Sequence, residues 1–187
     1  MAAKGKAGFV ISWTKVKGAS GYDVFLSRCN YDGKEIAVKR VKRVKGNKTF
    51  SWTKTGLEPK TAYKARVKAY VVVNGKKRYI GSSPLAHAYT SNGTGSRTNA
   101  KAVEVNKAKV SIRKGKTFKI NATVTKVDEV RGLMPEAHAA KVRYLSTNKK
   151  VATITAGGKI KARGAGLCYV YAYAHNGVYK RIKVTVK

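Results

Sequence analysis

The residues best placed to do chemistry in this chain are cations. Lys39-Arg40-Val41-Lys42-Arg43-Val44-Lys45 has a basic side chain at five of its seven positions. Ammonium and guanidinium groups at this density bind carboxylate, sulfate and phosphate groups. Lysine and arginine on an edge β-strand also keep other chains from pairing with it. The stretch therefore has two interpretations, an anion-binding patch and a protected sheet edge.

The sequence offers no comparable arrangement for catalysis or metal binding. His87, His138 and His175 stand apart, without a second histidine, cysteine or carboxylate at the spacing of zinc ligands. Asp128 and Glu129 are adjacent on a predicted loop, which suits neither acid–base catalysis nor the clustered oxygens of a calcium site. No nucleophile–base pattern or phosphate-binding glycine loop is present. We predict a protein that is not an enzyme and has no metal or cofactor.

Net charge narrows the classes of partner. The chain has 41 Lys+Arg against 8 Asp+Glu, a formal net charge of +33. Residues 1–95 hold 20 basic and 4 acidic residues (+16), and residues 96–187 hold 21 and 4 (+17). The charge is thus spread over both halves and is not a basic tail. Such a field favours anionic glycan, cell-wall polymer, acidic protein or nucleic acid, although lysine also simply solubilises sheet faces.

The cysteines, the hydropathy and the two ends of the chain give three further expectations. Cys29 and Cys168 each sit in an apolar run, which predicts two buried, inert thiols. No stretch reaches the roughly 18 apolar residues of a membrane span, and the start has no hydrophobic signal-peptide core. We predict no membrane insertion. The chain begins close to a first strand and ends one residue after a last one, so we expect a piece of a longer polypeptide.

The first half alternates as antiparallel strands do. Phe9-Val-Ile-Ser-Trp13 and Gly21-Tyr-Asp-Val-Phe-Leu26 are followed by a regular period-2 segment at residues 62–70, and Asn74-Gly75 predicts a hairpin turn. In residues 62–70 one face is apolar and must face a core, so the other faces solvent. The core-facing set is Tyr63, Ala65, Val67 and Ala69, and the solvent-facing set is Lys64, Arg66, Lys68 and Tyr70.

These features resemble a fibronectin type III domain over most of residues 8–90. The resemblance is carried by Trp13, Gly21-Tyr22, Leu57-x-Pro59-x-Thr61-x-Tyr63, Arg66-Val-Lys-Ala-Tyr70 and Ser82-Ser-Pro84. At the corner, Tyr63 is expected to pack into the end of the sandwich while its hydroxyl bonds to upstream backbone. The usual first strand is expected to be missing or reduced to residues 2–6.

The second half carries a different pattern of short strands separated by glycine or asparagine. Ser146-Thr-Asn148, Val151-Ala-Thr153, Gly158-Lys-Ile160 and Gly164-Ala-Gly166 together resemble a bacterial immunoglobulin-like group 2 domain over about residues 102–187. Between the halves, residues 90–99 are polar and glycine-rich. We therefore predict an all-β chain of two tandem immunoglobulin-like β-sandwiches: residues 1–90, a short polar linker at 91–100, and residues 101–187.

One segment departs from this pattern. Residues 128–140 are longer and less β-like than the expected connection, and Pro135 is suited to start a short helical turn. The segment is either a binding loop or a tolerated surface insertion, and we favour the insertion.

The fibronectin-type arrangement would place residues 39–45 in the same sheet as residues 62–70 and 78–90. Either Arg40 and Lys42, or Lys39, Arg43 and Lys45, would then join the solvent-facing cations of residues 62–70. Tyr70 is the one evident exposed aromatic residue in these strands, which argues against base stacking and specific nucleic-acid binding. The predicted binding residues are Lys39, Arg40, Lys42, Arg43, Lys64, Arg66, Lys68, Tyr70, Lys76, Lys77 and Arg78.

These expectations combine into one functional hypothesis and two alternatives. The resemblances imply a non-catalytic module of a bacterial surface or secreted protein, monomeric and extracellular, which adheres to a host macromolecule: a glycan, mucin, matrix protein or immunoglobulin. The first alternative is a structural spacer that contacts anionic cell-wall polymer. The second is an accessory module of a glycan-degrading enzyme. Fold alone does not choose among them.

Overall fold

The computed structural model describes residues 1–29 and 36–187, and nearly all of its regular structure is β-strand. The chain divides into two compact units, Met1–Thr98 and Asn99–Lys187. Across the described ranges the one helical segment is a 3-10 helix at Thr90–Asn92, and no helix there has the length and apolarity to span a membrane. The predicted all-β fold class is confirmed.

The described part of the first unit contains ten strands. They are β1 Ala2–Ala3, β2 Phe9–Ser12, β3 Gly21–Arg28, β4 Lys39–Lys45, β5 Ser51–Lys54, β6 Ala62–Val73, β7 Lys76–Ser82, β8 Ala86–Tyr89, β9 Gly93–Thr94 and β10 Arg97–Thr98. One sheet has the order β1-β2-β5 and the other β4-β3-β6-β7, with β8 also paired to β6. Strands β9 and β10 form a small hairpin of their own, within the residues predicted as linker.

The core of the first unit follows the predicted alternation of β6. Tyr63, Ala65, Val67 and Ala69 all point into a core shared with residues of β2 and β3. At the predicted corner, the backbone N–H of Glu58 donates a hydrogen bond to Tyr63 Oη at 3.2 Å. The hairpin between β6 and β7 turns at Asn74 and Gly75, which both have positive φ (50° and 72°), as a two-residue hairpin loop requires.

The second unit contains nine strands. They are β11 Ala100–Val105, β12 Lys109–Ile112, β13 Thr117–Lys119, β14 Ala122–Lys126, β15 Val142–Ser146, β16 Ala152–Ile154, β17 Lys159–Ala162, β18 Gly166–Ala174 and β19 Tyr179–Val186. A four-stranded sheet has the order β12-β19-β18-β15, with β12 parallel to β19. The remaining strands pair as β11-β14 and β13-β17-β16, and the core lies against alternate residues of β18 and β19.

The two cysteines and the segment at residues 128–140 agree with the expectations from the sequence. Cys29 and Cys168 are buried free thiols, as predicted. In residues 128–140 the predicted helical start at Pro135 is a single turn, in which the N–H groups of His138 and Ala139 both donate to the Pro135 carbonyl at 3.0 Å.

Candidate functional site: a basic sheet face

The predicted cations of the first unit lie on one sheet. β4 pairs with β3, β3 with β6, and β6 with β7. Tyr22, Val24 and Leu26 of β3 point into the core, so Asp23 and Phe25 point outward. Their partners on β6 are Lys68, opposite Asp23, and Arg66, opposite Phe25. This outward surface, the basic face, comprises Asp23, Phe25, Arg40, Arg43, Lys45, Arg66, Lys68, Tyr70, Lys77 and Tyr79.

A β-bulge in β4 decides which of its cations belong to the basic face. Asp23 pairs with Arg43, but the register then shifts so that Phe25 pairs with Arg40. Arg40 and Arg43 therefore share the outward face although they are three residues apart. The first predicted alternative is right for Arg40 and wrong for Lys42. The second is right for Arg43 and Lys45, which pair with Asp23 and Gly21, and wrong for Lys39. Strict alternation cannot place Arg40 and Arg43 together. The other predicted residues, Lys39 and Lys42, lie opposite core-facing residues of β3 and point to the other side.

A second bulge rearranges β7. The register shifts between Ala69 and Tyr70, so that Tyr70 pairs with Tyr79, and Val72 pairs with Lys77. Lys77 and Tyr79 thus belong to the basic face. Of the predicted binding residues Lys76, Lys77 and Arg78, only Lys77 belongs to the basic face, since Lys76 and Arg78 alternate to the other side.

Asp23 is the centre of the basic face. Its carboxylate is fully buried and accepts hydrogen bonds from Arg43 Nε at 2.9 Å, Lys77 Nζ at 2.6 Å and Tyr79 Oη at 2.8 Å. Arg40 Nη1 lies 3.7 Å away. Burial alone would raise the pKa of Asp23, but the hydrogen bonds from Arg43, Lys77 and Tyr79 outweigh it and hold the pKa well below its usual range. Asp23 is therefore a permanent anion that fixes the surrounding cations.

The aromatic rings of the basic face are largely covered by cations. Arg43 and Lys77 lie over the Tyr70 ring at 5.6 and 5.5 Å, and Lys68 lies over the Phe25 and Tyr79 rings at 5.1 and 5.0 Å. The prediction that Tyr70 is the exposed aromatic residue is wrong: Tyr70 is 5% exposed, whereas Tyr79 is 43% exposed. Tyr70 is buried because its ring lies over Gly21, where an added Cβ would come within 2.5 Å of the hydroxyl.

Two predicted cations differ in what they offer a ligand. Lys64 has the outward register of β6 but is only 5% exposed. The prediction that Lys64 is a surface binding residue is therefore wrong. Arg66 is half-buried, and its Nε has no hydrogen-bond partner in the described part of the chain.

Sequence reasoning missed Asp23, Phe25 and Tyr79. A signal for Asp23 was present, since it is the one acidic residue within the apolar strand Gly21–Arg28. Tyr79 carried no such signal, because its placement depends on the bulge in β7.

The first unit also contains a cysteine–histidine pair. Cys29 Sγ lies 3.5 Å from His87 Nδ1, so the expectation that His87 has no cysteine at ligand spacing is wrong. Burial, opposed in part by the charge of Lys64, raises the pKa of Cys29 to about 12. A thiol with such a pKa is protonated at neutral pH and is not a nucleophile.

Comparisons with known proteins give only distant similarities. No protein family model and no curated protein matches the chain. The crystal structure of the S-layer protein rSbsC is similar at 11% identity and a TM-score of 0.40, covering 91% of this chain and 28% of that one. The crystal structure of a C-terminal 282-residue intimin fragment, in complex with the intimin-binding domain of the translocated intimin receptor, is similar at 13% identity and a TM-score of 0.33. That match covers 96% of this chain and 57% of the other.

Proposed function

We propose that this chain is a non-catalytic binding module of a bacterial surface or secreted protein that adheres to a host macromolecule, and that the basic face binds an anionic glycan. The observation that carries the proposal is the anchoring of Arg43 and Lys77 by buried Asp23. Cations held in place lose less conformational entropy on binding than freely rotating ones. A face built only for solubility would have no need of a buried carboxylate beneath it.

The charge and geometry of the basic face favour sulfated or sialylated glycan over nucleic acid. Among the described residues its six cations, Arg40, Arg43, Lys45, Arg66, Lys68 and Lys77, exceed its single carboxylate by five charges. A protein that binds single-stranded nucleic acid through stacking needs open rings. Here cations cover the rings of the face, and its most accessible ring, that of Tyr79, has both Lys68 and Lys77 over it.

The test is binding of the whole chain to heparin, chondroitin sulfate, sialylated mucin and a purified anionic cell-wall polymer, at physiological and at threefold higher salt. Arg40→Ala combined with Lys68→Ala removes two cations from the basic face. Lys39→Ala combined with Lys42→Ala removes the same charge from the other side of the sheet, so it is the matched control.

We expect saturable binding to a sulfated or sialylated glycan that persists at the higher salt. The Arg40/Lys68 double variant should bind about tenfold or more weakly, at about 1.4 kcal/mol for each tenfold loss, and the Lys39/Lys42 control should stay within about twofold. Binding to every polyanion that vanishes at high salt, with equal losses in both double variants, would contradict the proposal. That result would favour the spacer or wall-contact alternative, because binding would then depend on the overall positive charge of the protein and not on one surface.

A further inference from the structure

The second unit has an outward sheet face of different composition. Along β18, Cys168 and Val170 point into the core, as do the alternate residues that follow them, whereas the tyrosines between them point outward. On β19, Tyr179 pairs with Tyr173 and Arg181 with Tyr171. We call this surface the tyrosine face and define it by Tyr169, Tyr171, Tyr173, Tyr179, Arg143 and Arg181.

The arginines of the tyrosine face rest on aromatic rings. The Arg181 guanidinium lies 4.7 Å from the Tyr169 ring centroid, and that of Arg143 lies 4.9 Å from the Tyr173 centroid. The Tyr171 and Tyr179 rings contact each other edge to face at 5.3 Å. These contacts restrict the side chains before any partner arrives, and a restrained guanidinium is well suited to bind a carboxylate with two hydrogen bonds.

The tyrosine face also leaves apolar surface in water. Leu145 on β15 is 47% exposed, Leu167 on β18 is 48% exposed, and Tyr179 is 52% exposed. All three have the outward register of one sheet, which distinguishes them from single scattered surface hydrophobics. Tyrosine and arginine are among the residues most enriched at the energetic centres of protein–protein interfaces.

The charge of the tyrosine face indicates the sign of the charge that its partner carries. The four acidic residues of the second unit are Glu104 on β11 and Asp128, Glu129 and Glu136 in the segment before β15. None of them belongs to β12, β15, β18 or β19, whereas Arg143, Arg181, Lys183 and Lys109 do. A surface that is positive and partly apolar is complementary to one that carries carboxylates around an apolar centre.

We propose that the tyrosine face is a docking surface for a folded protein with an acidic contact surface. An open sheet face suits a protein better than a small ligand, because small ligands bind in concave pockets. Nucleic acid fits less well, because guanidinium groups already lie on the Tyr169 and Tyr173 rings on which bases would stack. This second surface lies on strands that the basic face does not use, so the two can be tested separately.

The probes are purified immunoglobulin G, fibronectin and serum albumin, with single-stranded dT20 and heparin as non-protein ligands, measured by biolayer interferometry at physiological and threefold higher salt. Tyr179→Ala and Arg181→Ala each remove an exposed member of the face. Tyr179→Phe keeps the ring. Lys161→Ala removes one exposed cation from β17, in a different sheet, and matches Arg181→Ala in charge.

We expect at least one of the three proteins to bind saturably at both salt concentrations. Tyr179→Ala and Arg181→Ala should weaken that binding about tenfold, and Tyr179→Phe and Lys161→Ala should change it less than about twofold. The same variants should leave heparin binding unchanged, which separates this proposal from glycan binding at the basic face. Three outcomes would overturn it: no binding to any protein probe, equal losses with Arg181→Ala and Lys161→Ala, or losses confined to dT20. Circular dichroism would confirm that each variant is folded.

Discussion

The two outward faces use the same residue types, but they anchor their cations differently. On the basic face of the first unit, Arg43 and Lys77 are held by the buried carboxylate of Asp23. On the tyrosine face of the second unit, Arg181 and Arg143 are held by aromatic rings. A buried ion network fails when its one counter-charge is removed, whereas cation–π contacts are individually weak and can be lost one at a time. The faces should therefore respond differently to mutation.

Replacing Asp23 should have the largest effect. Asp23→Ala removes the anion shared by Arg40, Arg43 and Lys77, so that their positive charges repel one another without compensation. We expect the first unit to lose about 2–4 kcal/mol of unfolding free energy. Trp13 and Trp52 both belong to the first unit, so tryptophan fluorescence during urea unfolding reports on this unit alone.

The matched control for Asp23 is Glu104, an exposed acid of the second unit. Glu104→Ala makes the same change in net charge and should alter stability by less than about 0.5 kcal/mol. If Asp23→Ala left the tryptophan transition where it is in the unmodified chain, the basic face would not be held by its carboxylate.

A second prediction concerns the glycine beneath Tyr70. A Cβ at Gly21 would lie 2.5 Å from Tyr70 Oη and would also strike the Val44 carbonyl oxygen, so Gly21→Ala forces the ring and β4 apart. We expect a loss of about 2–3 kcal/mol, together with weaker glycan binding because Arg43 lies over that ring.

Gly81 gives the comparison in the same sheet. A Cβ there would find its nearest neighbours at 3.9 Å, an ordinary contact distance. Gly81→Ala should change stability by less than about 1 kcal/mol. The contact explanation would be wrong if the two variants unfolded at the same urea concentration.

The third prediction separates the units by pH. His175 in the second unit is fully buried, and burial, with a smaller contribution from the charge of Arg143, lowers its pKa to about 4. In the unfolded chain its pKa is about 6.5, so between these values the unfolded state binds the extra proton. Stability from His175 is therefore complete above pH 6.5 and falls as the pH drops toward 4, by about 2 kcal/mol at pH 5.

The contribution of Asp23 is also lost as the pH falls, but over a lower pH range. Its folded pKa lies below its unfolded value, so its contribution is complete at pH 5 and is lost only as the pH falls below about 4. Urea unfolding at pH 7 and pH 5 should thus shift the far-UV circular dichroism transition of the second unit while the tryptophan transition changes little. His175→Leu should remove the shift, and its persistence in that variant would assign it to another group.

The sequence predicted those features that depend on neighbouring residues. The alternation of β6, the Asn74-Gly75 turn and the hydrogen bond at the Tyr63 corner each follow from a local pattern, and each is present. The all-β class follows from the same patterns.

The candidate site was less predictable because it depends on register. Two bulges put Arg40 beside Arg43 and bring Tyr79 opposite Tyr70, and nothing in the local sequence marks the extra residues. Burial of Lys64 and pairing of Cys29 with His87 arise from contacts between distant strands. On the tyrosine face, the alternation of tyrosines along β18 is visible in the sequence. The contacts of these rings with arginines on neighbouring strands are visible only in the structure.

The smallest predicted effect is on stability, when the hydroxyl of one tyrosine is removed from each unit. In the first unit the Tyr63 hydroxyl accepts a hydrogen bond from backbone, so Tyr63→Phe should cost about 1 kcal/mol. On the tyrosine face, Tyr171 contributes its ring to the contact with Tyr179, so Tyr171→Phe should leave stability within about 0.5 kcal/mol. Both variants lose one oxygen atom, and urea unfolding compares them directly. Equal costs would mean that the hydroxyls of the tyrosine face serve the fold, which would weaken the case that they face a partner.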